Sequence, residues 1–316
     1  MYRNDLLPAI GLLLIATVFW GGMFDVSMTA LAAMDAYHMT LLRFAGTSLI
    51  LLVILLRSEG LSALRLQGNF RDLFLLGTLG FAGFNLLVFN GLAHTRPEHA
   101  AVIMALQPMI AVLLTWILKG SKPHRFTLAT VATAFVGVFL VITGGNPAAA
   151  FAGDAALWDL LFLAGALCWV GYTLGAQKFP DWSPLRYTSL TAVLGTASIA
   201  AITVLLGMNG SIRSPELTTL TSLHWTFAYL IIAGGVVAVL SWNSGIRKIG
   251  PVNGVLFINF VPITAFSIGI AQGREFSNAE LFGAALVILA LVSNNLYLRR
   301  ASSLHLPVSP VATGKS

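Results

Sequence analysis

Ten times along the chain a run of roughly 20 apolar residues, the length that crosses a bilayer core as one helix, is closed by a short break carrying Gly, Pro, Asn or Ser. No other feature restricts the fold so strongly. In hydrocarbon every backbone N–H and C=O must be satisfied within its own segment, so runs of this kind become helices. They fall at 6–27, 37–56, 72–91, 97–118, 126–143, 157–176, 185–207, 224–244, 252–271 and 279–298. Only 9% of the 316 residues are charged, against about 25% in a soluble domain. The spacing predicts an all-α polytopic membrane protein with ten transmembrane helices. Residues 1–33 have the outline of a signal peptide, ending in the cleavage-like Ala30-Leu31-Ala32. The apolar run from Leu6 to Met28 is too long for one and has an internal twin, so it reads as a retained first span.

The chain repeats itself. Gly91, Pro97 and Pro108 return with the same spacing as Gly245, Pro251 and Pro262, and Trp20 in FWGG returns as Trp169 in CWVGY. Pro97 and Pro251 read as helix starts, where a missing N–H costs nothing. Pro108 and Pro262 then fall inside a span, as kinks that free backbone carbonyls and serve as hinges. Five spans per copy is an odd number, so the second copy enters the membrane from the opposite side, giving a five-plus-five inverted repeat. The expected units are residues 1–147 and 154–300, joined through the loop from Gly144 to Asp154 and followed by a disordered cytoplasmic tail, 301–316.

Orientation follows from the basic residues. With the N-terminus in the cytoplasm, fourteen Lys and Arg fall on that side and three, Arg96, Arg213 and Arg274, on the other, with Arg43 inside the second span. This bias sets both termini inside. It also accounts for the net charge of +6 without a nucleic-acid partner. The single Cys168, in an apolar run, excludes a disulfide framework.

Polar groups inside the membrane are costly and so are candidates for function. They are Asn85 and Asn90 in the third span, His99 and Gln107 in the fourth, Trp242 and Asn243 in the eighth, and Asn253 and Asn259 in the ninth. Trp20, Phe24, Trp169 and Tyr172 add an apolar, stackable wall. Arg43 reads two ways, as a partner for a substrate carboxylate or as a snorkelling or Asp25-paired cation. Gly77, Gly80 and Gly83, with Gly171 and Gly175, put small residues on one helix face for close packing or rocking. Asp25, Glu98, Asp159 and Glu280 lie at outer ends of spans and Asp72 at an inner end, so no carboxylate sits at midplane. That disfavours a cation-drug exporter or a carboxylate proton pump. His94 to His99 lacks a zinc-binding spacing, and no G-x-S-x-G or phosphate loop is present. The chain is expected to be neither an enzyme nor dependent on a metal or cofactor.

With its ten spans, five-plus-five repeat, Trp20/Trp169 openings and paired prolines, the sequence resembles the drug/metabolite transporter superfamily, EamA-type, over about residues 6 to 298. It is most similar to the YddG-type bacterial amino-acid exporters. The resemblance implies helices one to four and six to nine around a central cavity, with five and ten to the side, and cavity roles for Trp20, Pro108, Trp169 and Pro262. The small four-helix multidrug members carry a midplane carboxylate in their first span, where this chain reads Ala16-Thr17-Val18. The expected protein is a secondary transporter of the bacterial inner membrane that exports amino acids, aromatic and other neutral ones, by alternating access. A carrier for nucleobases or other small metabolites is the alternative, ahead of a channel, a receptor or an intramembrane enzyme. Its partners would be a small-molecule substrate and the lipid bilayer. Oligomeric state and proton coupling are not legible.

Overall fold

A computed structural model describes residues 3–120, 122–146, 155–249 and 254–303, and among them every regular element is helical. Eight helices are long and apolar enough to cross a membrane: α1 (Leu6–Leu31), α2 (Ala36–Glu59), α3 (Phe70–Leu92), α5 (Arg125–Thr143), α6 (Leu157–Lys178), α7 (Pro184–Met208), α8 (His224–Ile249) and α10 (Asn278–Leu298). A ninth, α4, comes in two pieces, Pro97–Ala105 and Gln107–Leu118, bent by 46° at the break between them. The ninth expected span, 252–271, contributes only the shorter apolar helix α9 (Phe257–Ala271). Ten full-length spans are therefore more than the described helices supply. Pro251 and Asn253, most of the 144–154 loop and residues 304–316 of the tail lie outside the described residues. The helix of α10 runs on to Ser303, past the expected start of the tail.

Local chemistry sets the helix starts. Asp35 accepts hydrogen bonds from the Tyr37 and His38 N–H groups, both at 2.9 Å, at the head of α2. Ser183 accepts from Arg186 N–H at 2.9 Å ahead of Pro184 in α7. At α10, Ser277 and Glu280 form a reciprocal capping box, each side chain taking the other's backbone N–H at 3.1 and 2.7 Å.

Exchanging each helix for the one five places on maps the packing onto itself. α1 packs on α8 and α9 as α6 packs on α3 and α4; α2 meets α8 as α7 meets α3; and α2·α7, α4·α9 and α5·α10 pair across the axis. The close approaches are made by glycine. Gly77 of α3 lies against the α7 backbone at Thr191 and Gly195, and Gly137 of α5 against Gly283 of α10, so a Cβ at any of these glycines would strike backbone.

Two local features differ from the sequence reading. Pro108 is not mid-helix: α4 breaks at Leu106, and Pro108 occupies the first turn of the second piece. Pro262 likewise sits in the first turn of Phe260–Ala271, after the 3₁₀ stretch Val255–Asn259. Proline has no N–H to give the preceding turn, and the chain meets this by ending one helix and starting another. Moreover, α3 and α8 each contain a π-helical stretch, Thr78–Gly83 and Tyr229–Val237. Each stretch ends eight residues before the Gly of the repeated motif.

Candidate functional site

The helices around the axis leave two connected cavities. The inner chamber, about 140 Å³, is bounded by Trp20, Phe24, Arg43, Asn85, Gln107 and Gly234 among others. The vestibule, about 470 Å³, extends to Trp182, Ser183 and Pro184 at the α6–α7 junction. Trp20, Gln107, Trp169 and Trp242 line both, forming the waist between them. The vestibule alone falls within the roughly 300–1,000 Å³ of small-molecule sites. α5 and α10 contribute to neither cavity.

The π-helical stretches contribute Phe81, Gly234 and Gly235 to the inner chamber. A π-turn adds a residue, shifts the face presented by the next turns of the helix, and leaves carbonyls for side chains to use. In α8, the Trp20 indole N–H donates to Gly234 C=O at 3.2 Å, which fixes the ring at the waist. In α3, Asn85 Nδ2 donates to Phe81 C=O at 3.0 Å, and its Oδ1 accepts from Arg43 Nη1 at 3.2 Å. Arg43 is 4% exposed. Its guanidinium lies over Phe44 and Phe89, at 4.8 and 5.4 Å from the ring centres, and its Nε has no hydrogen-bond partner. No carboxylate pairs with it among the described residues. Asp25, the partner considered from sequence, binds Arg274 instead.

Aromatic rings pave one wall from chamber to mouth. Phe84 meets Trp169 at 5.1 Å between centres, Trp169 meets Tyr172 at 5.2 Å, and Tyr172 stacks on Tyr187 at 5.0 Å. Phe179 and Trp182 continue the row. On the facing side Trp20 meets Trp242 at 5.4 Å. Each repeat's tryptophan thus finds its aromatic partner on the third helix of the other repeat.

The opposite end of the bundle is sealed by charge. Arg274 pairs with Asp25 and, at 2.8 Å, with Glu98; Arg96 pairs with Glu280 at 2.6 Å and lies 3.7 Å from Glu98. Beside this cluster His99 Nδ1 meets Asp159 at 3.1 Å. None of these residues lines either cavity.

Of the residues singled out from sequence, Trp20, Phe24, Arg43, Asn85, Gln107, Trp169 and Trp242 come together around the inner chamber. Tyr172, Asn243 and Pro108 line the vestibule. His99 is held against Asp159 beside the ion-pair cluster. Asn259 is buried away from both cavities, and Pro262 borders neither. Asn90 turns back to its own helix, donating to Leu86 C=O at 2.7 Å. Phe81, Phe84, Thr47 and Thr188 also line the inner chamber, and nothing in their spacing marked them. Phe81 lies in the π-turn of α3 and Phe84 directly follows it, so a regular helical wheel does not show their common face.

Two stretches, residues 7–143 and 156–296, match the EamA-like transporter family. The uncharacterized transporter YrdR of Bacillus subtilis (strain 168) is 35% identical over 91% of this chain and 91% of its own. YyaM of the same organism, also described as an uncharacterized transporter, is 29% identical over 90% and 92%. Protein PecM of Dickeya dadantii (strain 3937) is 26% identical over 70% and 72%. A solved crystal structure superimposes with a TM-score of 0.63 at 20% identity, over 95% of this chain and 99% of that one, a likeness of fold.

Proposed function

The chain belongs to the EamA-like transporter family, and on that premise we propose that it exports amino acids, including aromatic and other neutral ones, across the bacterial inner membrane. As a multi-pass membrane transporter of this family it handles small molecules; the amino-acid class is our reading of the chamber. The observation that carries it is Arg43: a buried cation without an acidic partner at the end of an aromatic cavity. A buried charge is retained at a cost and calls for a counter-charge. A substrate carboxylate supplies one in bidentate form, while the Trp20, Trp169 and Trp242 rings take an apolar side chain and Gln107 faces the polar head.

In this reading the protein has ten spans, with residues 252–271 as the ninth, in an inverted repeat with both termini in the cytoplasm. The contact directions favour it. α1 runs antiparallel to α8, with Leu13 at Gly245 and Phe19 at Tyr229. It runs parallel to α9, with Gly21 at Val261 and Asp25 at Arg274. Strict alternation of ten spans gives the same directions. The vestibule reaches the α6–α7 junction, on the side that carries the basic loops, so the conformation is inward-open, with the ion-pair cluster closing the outer end. Alternating access then exchanges an open vestibule on one side for its symmetry-related counterpart on the other.

Counterflow in proteoliposomes at zero pH gradient, with labelled phenylalanine, threonine, lysine and a nucleobase, tests the reading. Uptake of phenylalanine and threonine is expected. Uptake of the nucleobase alone would transfer the site to the other aromatic metabolites that the same wall would suit, and silence for all four would end the amino-acid reading.

A further inference from the structure

Arg43 is the only charged side chain lining either cavity among the described residues. Its hydrogen-bond partner, Asn85, is neutral and engaged at both ends of its amide: the N–H group donates to the Phe81 carbonyl and the oxygen is turned to the guanidinium. An Asp at 85 would close an ion pair and leave the chamber neutral. An Asn there holds Arg43 in place without cancelling its charge. The remaining polar lining, Thr47, Gln107, Thr173, Ser183, Thr188 and Asn243 with the tyrosines of the wall, is uncharged as well.

This imbalance bears on the substrate. An amino acid carries its ammonium one carbon from its carboxylate. Docking the carboxylate on Arg43 therefore brings a second cation into a chamber whose single formal charge is already positive. The ammonium gives up its hydration and finds neutral oxygens and rings there, but no counter-ion, and an uncompensated charge in a desolvated site is costly. The same molecule without its amino group fills the same aromatic wall, keeps the ion pair, and brings no second charge. We propose that this chamber binds and transports aromatic monocarboxylates that lack an amino group, more tightly than the matching amino acids, and that Asn85 is the positioning residue that sets this charge preference. The inference rests on the reading of Arg43 as the carboxylate partner but not on amino acids being the substrate.

Three ligands that differ only in their ionic groups decide it: 3-phenylpropionate, phenylalanine and phenethylamine. Binding to the full-length protein in detergent is measured by titration calorimetry at neutral pH, and transport by counterflow in preloaded proteoliposomes against empty vesicles. The expected order is 3-phenylpropionate first, roughly tenfold tighter than phenylalanine, with phenethylamine unbound. In N85D, checked for monodisperse elution, the closed ion pair leaves the chamber neutral, and 3-phenylpropionate is expected to lose at least about tenfold and so forfeit its lead over phenylalanine. Should N85D fail to fold, the wild-type order decides alone. Tight phenylalanine with silent 3-phenylpropionate would overturn the proposal and leave amino-acid export standing, since the ammonium would then have its own partner. The converse, 3-phenylpropionate without phenylalanine, sustains the proposal and removes the amino-acid reading. Silence for all three removes both.

Discussion

Arg43 has the highest stakes of any single side chain. It is buried under two phenylalanine rings and bonded to one amide, so the fold gains little from its charge. Removing a buried ion in favour of a neutral side chain of similar length is often neutral or stabilising. Arg43→Gln should therefore leave the thermal midpoint unchanged or raised, while binding of a carboxylate substrate weakens by about 10- to 100-fold, the ~1.5–3 kcal/mol of a charge-assisted hydrogen bond. Unchanged affinity in that variant would remove Arg43 from the site. Trp169, which Phe84 and Tyr172 hold in place, is expected to act on affinity alone: Trp169→Ala should lower substrate affinity and flux by at least about tenfold, through lost aromatic contact, without loss of folded protein in the membrane. Much of the cavity lining was legible at the residue scale. Tryptophans recurring at matched positions and a lone Arg in an apolar run stand out against lipid-compatible sequence. The partner of Arg43 did not, because choosing between Asn85 and Asp25 needs the position of Arg274, 249 residues from Asp25.

At the scale of elements, the apolar runs predicted ten spans, of which eight are full-length helices and a ninth is the bent α4 among the described residues, and the Gly–Pro–Pro spacing pointed to an interrupted fourth helix and a twofold repeat. They did not disclose the π-turns, since a π-turn is chosen by what packs on it: Gly80 lies on Tyr172 and Gly234 on Met23, and no local propensity encodes that. Nor did they place the α4 break correctly. Proline was read as a kink inside a helix, whereas the break falls two residues earlier and the proline belongs to the first turn of a new helix. The α5·α10 pair provides a control for these functional elements, because it lines neither cavity. Gly137→Leu would drive a side chain into the Gly283 carbonyl and Val287, at the about 1–3 kcal/mol typical of overpacking. A lower thermal midpoint with unaltered substrate affinity is expected. A weakened affinity would mean that the α5·α10 pair supports the cavity after all.

At the scale of the whole molecule, the exchange symmetry of the packing gives each helix pair at one end a counterpart at the other, and in the alternating-access reading proposed above the two conformations differ in which set is closed. In that reading the set closed here is the outer one, and ion pairs hold it. Glu98 is 1% exposed and lies on the bare backbone of Gly269, with Arg274 across from it. Taking Arg274 away strands the Asp25 carboxylate and leaves Glu98 only Arg96, at 3.7 Å, and breaking a buried pair from one side costs about 3–5 kcal/mol. Opening the outer end relieves that cost by letting water reach both acids, so Arg274→Gln should shift the population toward the outward-facing state. The shift can be read at Phe24, which borders the inner chamber directly before Asp25. With Phe24→Cys in a Cys168→Ser background, a membrane-impermeant maleimide added outside right-side-out vesicles should react several-fold faster once Arg274→Gln is present. It should also slow again when Asp25→Asn and Glu98→Gln are added, because neutral amides have no reason to seek water. Equal labelling in all three would mean that the ion pairs fix the ends of α1, α4 and α9 without governing which side is open. The balance between the two states would then lie in the aromatic contacts of the waist, where Trp20 meets Trp242 and Trp169 meets Phe84.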